Sequence, residues 1–123
     1  MEKIILQPAH TDERGVITDL LQNETINAVT LISFAKGAVR ANHYHKETYQ
    51  WNYVLSGKIK LVTQLLNQAK VETILKTGDF VVTMPYESHA LTAVEKSELL
   101  VLTKGPRAGD NYESDTFRLN DPL

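Results

Sequence analysis

Between residues 16 and 103 the chain is one short β-prone run after another, and no segment carries a sustained helical period. The runs are residues 16–21, 28–34, 39–45, 49–55, 58–66, 71–75, 79–84, 89–94 and 99–103, all rich in Val, Ile, Leu, Thr and Tyr. Turn-forming residues separate them, among them Lys36-Gly37, Ser56-Gly57, Thr77-Gly78 and Pro85. Residues 65–72 have the composition of a helical turn. Alternating runs on either side make a hairpin the better expectation there. Many short strands without helices bury their apolar faces only against each other, which predicts a sandwich or small barrel. The tail, residues 105–123, is polar and irregular and is expected to wrap the barrel or fray.

A chain of 123 residues predicts a single domain spanning 1–123 with one modest core. Net charge is −2 and no basic block stands out, so nucleic acid is not an expected partner. No apolar run reaches the roughly 18–20 residues needed to cross a bilayer, so no membrane partner is expected. The apolar stretch at Ile4-Ile5-Leu6 is too short for a signal peptide. There is no cysteine, which removes disulfides and thiolate metal sites and fits a cytoplasmic protein.

Chemistry concentrates in residues 37–57. His43 and His45 are two apart in a strand-like run, so they share a face. Together they form a two-point grip for a metal ion or a polar ligand. Gln50 follows, and Asn52 shares its face two residues on. Two amides turned into a barrel need hydrogen-bond partners, either a hydroxylated ligand or each other and nearby backbone. Trp51, Tyr53 and Leu55 face the other way and are expected to pack between layers or at a dimer interface.

The stretch from Gly37 to Gly57 resembles the first cupin motif, G-x5-H-x-H-x(3–4)-E-x6-G, with Gln50 where the family carries glutamate. Residues 78–93 resemble the second motif, G-x5-P-x-G-x2-H-x3-N. Gly78 and His89 match it, Pro85 comes one residue late, and Tyr86 and Ala93 replace the motif glycine and asparagine. The resemblance is to small single-domain, RmlC-like cupins. It implies an all-β, cupin-type double-stranded β-helix, or jelly-roll barrel, that brings His89 to face His43 and His45. The implied metal ligands are His43, His45, Gln50 and His89. Three imidazoles suit a divalent transition metal such as Fe, Zn, Ni, Mn or Cu. Gln50 would add a neutral oxygen where the motif has an anionic one, which weakens metal affinity.

A second, partial resemblance is to cupin 3,4-ketoisomerases and 3,5-epimerases acting on sugar nucleotides. It rests on Asp12-Glu13-Arg14-Gly15 before an apolar run and on Arg40-x-x-His43-x-His45-Lys46. It implies strand histidines that move protons beside a carbonyl without metal, a pattern to which His89 does not belong. The expected function is therefore an isomerase or epimerase acting on a sugar or nucleotide sugar. His43, His45 and Tyr86 would be catalytic, and Arg40, Asn52 and Lys46 would bind substrate. A metal-dependent dioxygenase and a non-catalytic cupin that binds a small molecule, a sugar or an acid, are the alternatives. A sugar-like ligand and a homodimer are the expected partners.

Overall fold

The computed structural model describes residues 1–107 and 113–123; the expectation for the tail at 108–112 lies outside the described residues. Twelve strands and no helix are present among the described residues. They are β1 (Glu2–Ile4), β2 (His10–Asp12), β3 (Gly15–Ile17), β4 (Ala28–Phe34), β5 (Val39–Tyr44), β6 (Tyr49–Ser56), β7 (Lys58–Gln64), β8 (Val71–Lys76), β9 (Phe80–Thr83), β10 (Ser88–Ala93), β11 (Ser97–Lys104) and β12 (Phe117–Arg118). Two five-stranded antiparallel sheets form, in the orders β1-β9-β6-β11-β4 and β12-β5-β10-β7-β8, and β2-β3 is a separate hairpin. The β7–β8 connection is a turn closed by Gln68 N–H donating to the Leu65 carbonyl at 3.1 Å, so residues 65–70 form a hairpin and no helical turn.

The strand expected at 16–21 stops at Ile17. Leu20 and Leu21 turn back instead, and with Leu6 and Ile26 they pack on the outer face of the first sheet against Trp51, Phe80 and Val82. Burying Trp51 this way is worth more than two further strand residues on an exposed hairpin. The tail is not wholly irregular either, since β12 pairs with β5, Phe117 opposite Tyr44 and Arg118 opposite His43. Gly57, which closes the first motif, lies at φ +91° in the β6–β7 turn, and a Cβ there would meet the Lys96 carbonyl at 2.5 Å. A side chain at that position is excluded by both conformation and space.

The space between the sheets is layered. Directly paired residues of neighbouring strands share a face, so the register defines each layer. At one end Val54 pairs with Leu99, and Ala93 with Ile59; Phe34 and Leu75 join them in a fully apolar core. One layer up, Asn52 lies between Val81 and Val101, while Leu91 lies beside Leu61. In the next layer Gln50 lies between Thr83 and Thr103, and His89 between His43 and Thr63. The inner faces thus change from apolar to polar over three layers, and the polar layer is where the histidines meet.

Candidate metal and sugar site

Three imidazoles converge in the polar layer. The rings of His43 and His45 lie 4.8 Å apart, those of His43 and His89 4.7 Å, and those of His45 and His89 5.3 Å. One nitrogen from each falls within 4.8 Å of the others. They line a cavity of about 420 Å³ together with Gln50, Asn52, Thr83 and Arg40.

Hydrogen bonds outside the cluster orient two of the rings. His45 Nδ1 lies 2.8 Å from the Asp115 carbonyl, and His89 Nδ1 lies 3.0 Å from the Glu87 carbonyl. A carbonyl only accepts, so in each ring Nδ1 carries a proton, and in the neutral form of the ring Nε2 presents the lone pair. Among the described residues, His43 Nδ1 is buried with no hydrogen-bond partner, as is Thr103 Oγ1 in the same layer. His43 is held down to about 3, first by burial, then by His89, His45 and Arg118. His89 is lowered to about 3 by burial, then by His45 and the amino terminus. Both rings are therefore neutral at physiological pH, the form in which imidazole ligates.

Gln50 Oε1 lies 3.2 Å from His45 Nε2. With the His45 proton on Nδ1, two acceptors face each other across that distance. A cation between them resolves the conflict, as does rotating the amide to present its NH2. The donor set thus fits a divalent transition metal: three imidazoles, two with their outer nitrogens bonded to carbonyls, one buried nitrogen without a partner among the described residues, and an amide oxygen beside them. Asn52 has a more structural role on its nitrogen side, donating to the carbonyls of Gln50 at 3.1 Å and Val81 at 3.3 Å.

A bulge brings Arg40 into the site. Ala41 and Asn42 adopt φ of 72° and 56°, and the β5–β10 register skips between them: His89 pairs with His43, but Ala90 pairs with Ala41. In an unbroken strand Arg40 and His43 would point to opposite faces. The extra residue puts both inward. Arg40 lines the cavity, donates to the Ser33 carbonyl at 3.0 Å and covers the Phe34 ring at 5.2 Å.

Lys46 and Tyr86 lie elsewhere. Lys46 Nζ lies 4.2 Å from the centre of the Phe117 ring, and Tyr86 stacks on Tyr44, which stacks on Phe117. Tyr44 alternates with His43 and His45, so this group covers the outer face of β5, and neither Lys46 nor Tyr86 lines the cavity. The pair Asp12 and Arg14, 2.7 Å apart, lies on the β2–β3 hairpin, also away from the cavity. The tail contributes a rim that neither motif reaches, where Arg107, Glu113, Thr116 and Arg118 line the cavity and Arg118 pairs with Glu113 at 2.6 Å. The charge alternation near residues 113–118 is too weak a pattern to have marked it.

Residues 10–117 match the polysaccharide biosynthesis C-terminal domain family. The chain belongs to that family. It is 32% identical over 79 residues, 64% of this chain and 67% of the other, to the pectin degradation protein KdgF of Dickeya dadantii. QdtA, a sugar 3,4-ketoisomerase from Thermoanaerobacterium thermosaccharolyticum solved with TDP, superposes with a TM-score of 0.77 at 20% identity, covering 97% of this chain and 88% of that one. The dTDP-4-dehydrorhamnose 3,5-epimerase of Sulfolobus tokodaii superposes at 0.69 with 18% identity, covering 90% and 70%. These neighbours bear out the expected all-β cupin fold. No helix among the described residues is long and apolar enough to cross a membrane.

Proposed function

We propose that this single-domain cupin is a carbohydrate isomerase or epimerase whose cavity holds a divalent transition metal on His43, His45 and His89, with Gln50 beside them. The convergence of three imidazoles, two with their outer nitrogens engaged by carbonyls, carries this reading. The names of its relatives, a ketoisomerase, an epimerase and a pectin degradation protein, support a carbohydrate ligand.

When bound, the metal supplies Lewis-acid polarisation of a sugar carbonyl or hydroxyl oxygen. The chain supplies the rest. Asn52 and Thr83 line the wall where sugar hydroxyls would sit, and Arg40 and Arg118 at the rim suit an anionic group on the ligand. The reaction moves a proton: a C–H bond beside the carbonyl breaks and a C–H bond forms at the same or the neighbouring carbon, with no net redox change. Imidazoles that would hold a metal have no free lone pair for a proton, so the proton would fall to another group. Glu113 is the carboxylate that lines the cavity among the described residues. Tyr86, on the outer face, is not assigned that role.

The test is incubation in D2O of untagged protein, metal-free or loaded with Zn, Mn, Ni or Fe(II), with keto sugars, uronates and nucleotide-4-keto sugars. Metal-dependent deuterium incorporation beside the carbonyl is the expected result. Absence of both exchange and binding across the panel sinks the reading.

We also propose a cytoplasmic homodimer. Cytoplasmic placement rests on the cysteine-free sequence. Strand β4 is a sheet edge without a charged residue, and its Val29 and Leu31 are exposed, so a second copy would cover what is otherwise an unprotected edge. Light scattering should give a dimer that Leu31→Lys dissociates; a wild-type monomer at micromolar concentration ends the proposal.

A further inference from the structure

Asp115 is bonded to the site at two points. Its backbone carbonyl accepts from His45 Nδ1 at 2.8 Å. Its carboxylate accepts the N–H of Lys46 at 3.1 Å on one oxygen, and on the other the N–H groups of Glu47 at 2.9 Å and Thr48 at 3.0 Å and the Thr48 hydroxyl at 2.7 Å. These four donors belong to the turn that leaves β5 immediately after His45. One residue therefore grips both the His45 ring and the backbone that follows it.

We propose that Asp115 is the positioning residue for His45: its carboxylate clamps the 46–48 turn, and the clamp sets its carbonyl against Nδ1, fixing His45 in the tautomer that points the Nε2 lone pair into the cavity. The proposal deepens the metal reading and rests on it for its functional meaning.

A plain turn cap would need only the carboxylate. Here the geometry does more. Asp115 is 6% exposed, and His45 is also 6% exposed. A buried imidazole with one nitrogen in the cavity has one remaining donor to satisfy, and leaving it unmet costs roughly 1–3 kcal/mol. The Asp115 carbonyl meets that donor, and only as an acceptor, so it selects the tautomer as well as the ring angle. The residue comes from 70 positions away in the chain, so the contact forms only once the tail is folded against β5. Directly after it, β12 pairs with β5, Arg118 opposite His43, which holds the same segment in register along the histidine strand.

The experiment compares wild type, Asp115→Ala and Asp115→Asn by two readouts. The first is nitrogen-15 NMR of the metal-free protein, which reports the His45 tautomer and the exchange protection of its Nδ1 proton. The second is Zn affinity by calorimetry. Wild type should show a protected Nδ1 proton on both His45 and His89. Asp115→Ala should lose that signal from His45 alone, keep it on His89, and bind Zn about 10–100-fold more weakly, the usual cost of removing an outer partner of a ligating histidine. Asp115→Asn, isosteric but uncharged, should shift the same way by less, and it serves if the alanine variant does not fold. A folded variant that keeps the His45 tautomer overturns the proposal. If wild type binds no Zn, the metal reading fails, yet the NMR comparison still decides whether Asp115 orients the ring.

Discussion

His45 and His89 meet in one cavity but are held in opposite ways. The partner of His89 Nδ1 is the carbonyl of Glu87, two residues earlier in the same turn. That turn is tied down in place: the Glu87 carboxylate is buried, accepts the Met84 N–H at 3.2 Å and pairs with the Met1 amino group. The partner of His45 Nδ1 comes from the far end of the chain. His43, between them, has no partner for its buried Nδ1 among the described residues. One ring is thus oriented locally, one by a long-range clamp, and one by packing alone. The site's stiffness is uneven, and its weakest orientation is at His43.

The sharpest way to break this comparison is to remove a ring. His89→Ala and His45→Ala each delete a proposed ligand and should weaken Zn binding by more than the roughly 10–100-fold that losing an outer partner costs. Calorimetry on folded variants checks this. If either variant keeps wild-type affinity, that ring is no ligand, and the site is smaller than the geometry implies.

Acid should act next most strongly. In the folded protein His43 and His89 titrate near 3, against 6.5 for an ordinary histidine. Between those values the unfolded chain binds protons that the native chain refuses, so stability is full above pH 6.5 and falls as pH drops toward 3. Asp115 adds to the loss at the lower end. Burial would raise its carboxyl, but the Glu47 N–H, the Thr48 hydroxyl and the N–H groups of Lys46 and Thr48 outweigh it and hold it below 3.8. Its contribution is present above 3.8 and lost as pH falls further. Urea denaturation of chelator-treated protein should show the midpoint dropping between pH 7 and pH 5, before carboxylates titrate. A flat midpoint over that range contradicts the buried neutral rings.

Gln50 sharpens the comparison in the other direction. Gln50→Glu places an anionic oxygen where an amide oxygen now lies 3.2 Å from His45 Nε2. A charge pair at 4 Å is worth up to about 4 kcal/mol at an effective dielectric of 20, so even a fraction of that raises Zn affinity about tenfold. Unchanged affinity would mean that Gln50 faces the ring without facing the metal.

How much of this was legible in the sequence follows from distance along the chain. The period-two pattern of β6 and the spacing of His43 and His45 put Gln50, Asn52 and the two histidines on inner faces, because a strand alternates without outside help. The inward turn of Arg40 depends on a bulge at Ala41 and Asn42, and neither residue announces one. Asp115, Thr116 and Arg118 lie in a tail with little strand pattern, and what places them is pairing with β5, some 70 residues away. The motif pattern that includes Lys46 and the loop position of Tyr86 point to the site, but neither fixes which face the side chain takes. Lys46 lies in the turn after His45, and its Nζ sits over Phe117 on the outer side of β5.

Tyr86 gives the smallest expected effect, for a reason found in the backbone. It occupies the place where the second cupin motif carries glycine, and its φ of 64° is the left-handed conformation that glycine favours. Its link to the site is its backbone N–H, which donates to the His45 carbonyl at 2.6 Å; its ring lies 59% exposed on Tyr44. Tyr86→Phe keeps the ring, the stack and the backbone bond, so metal affinity and turnover should stay within twofold of wild type. Tyr86→Gly relieves about 1–2 kcal/mol of left-handed strain and loses about 0.5–1.5 kcal/mol of ring stacking, leaving stability within about 1 kcal/mol. A tenfold loss of turnover in Tyr86→Phe with unchanged metal content would bring the phenol into the chemistry and show that the outer face of β5 communicates with the inner one.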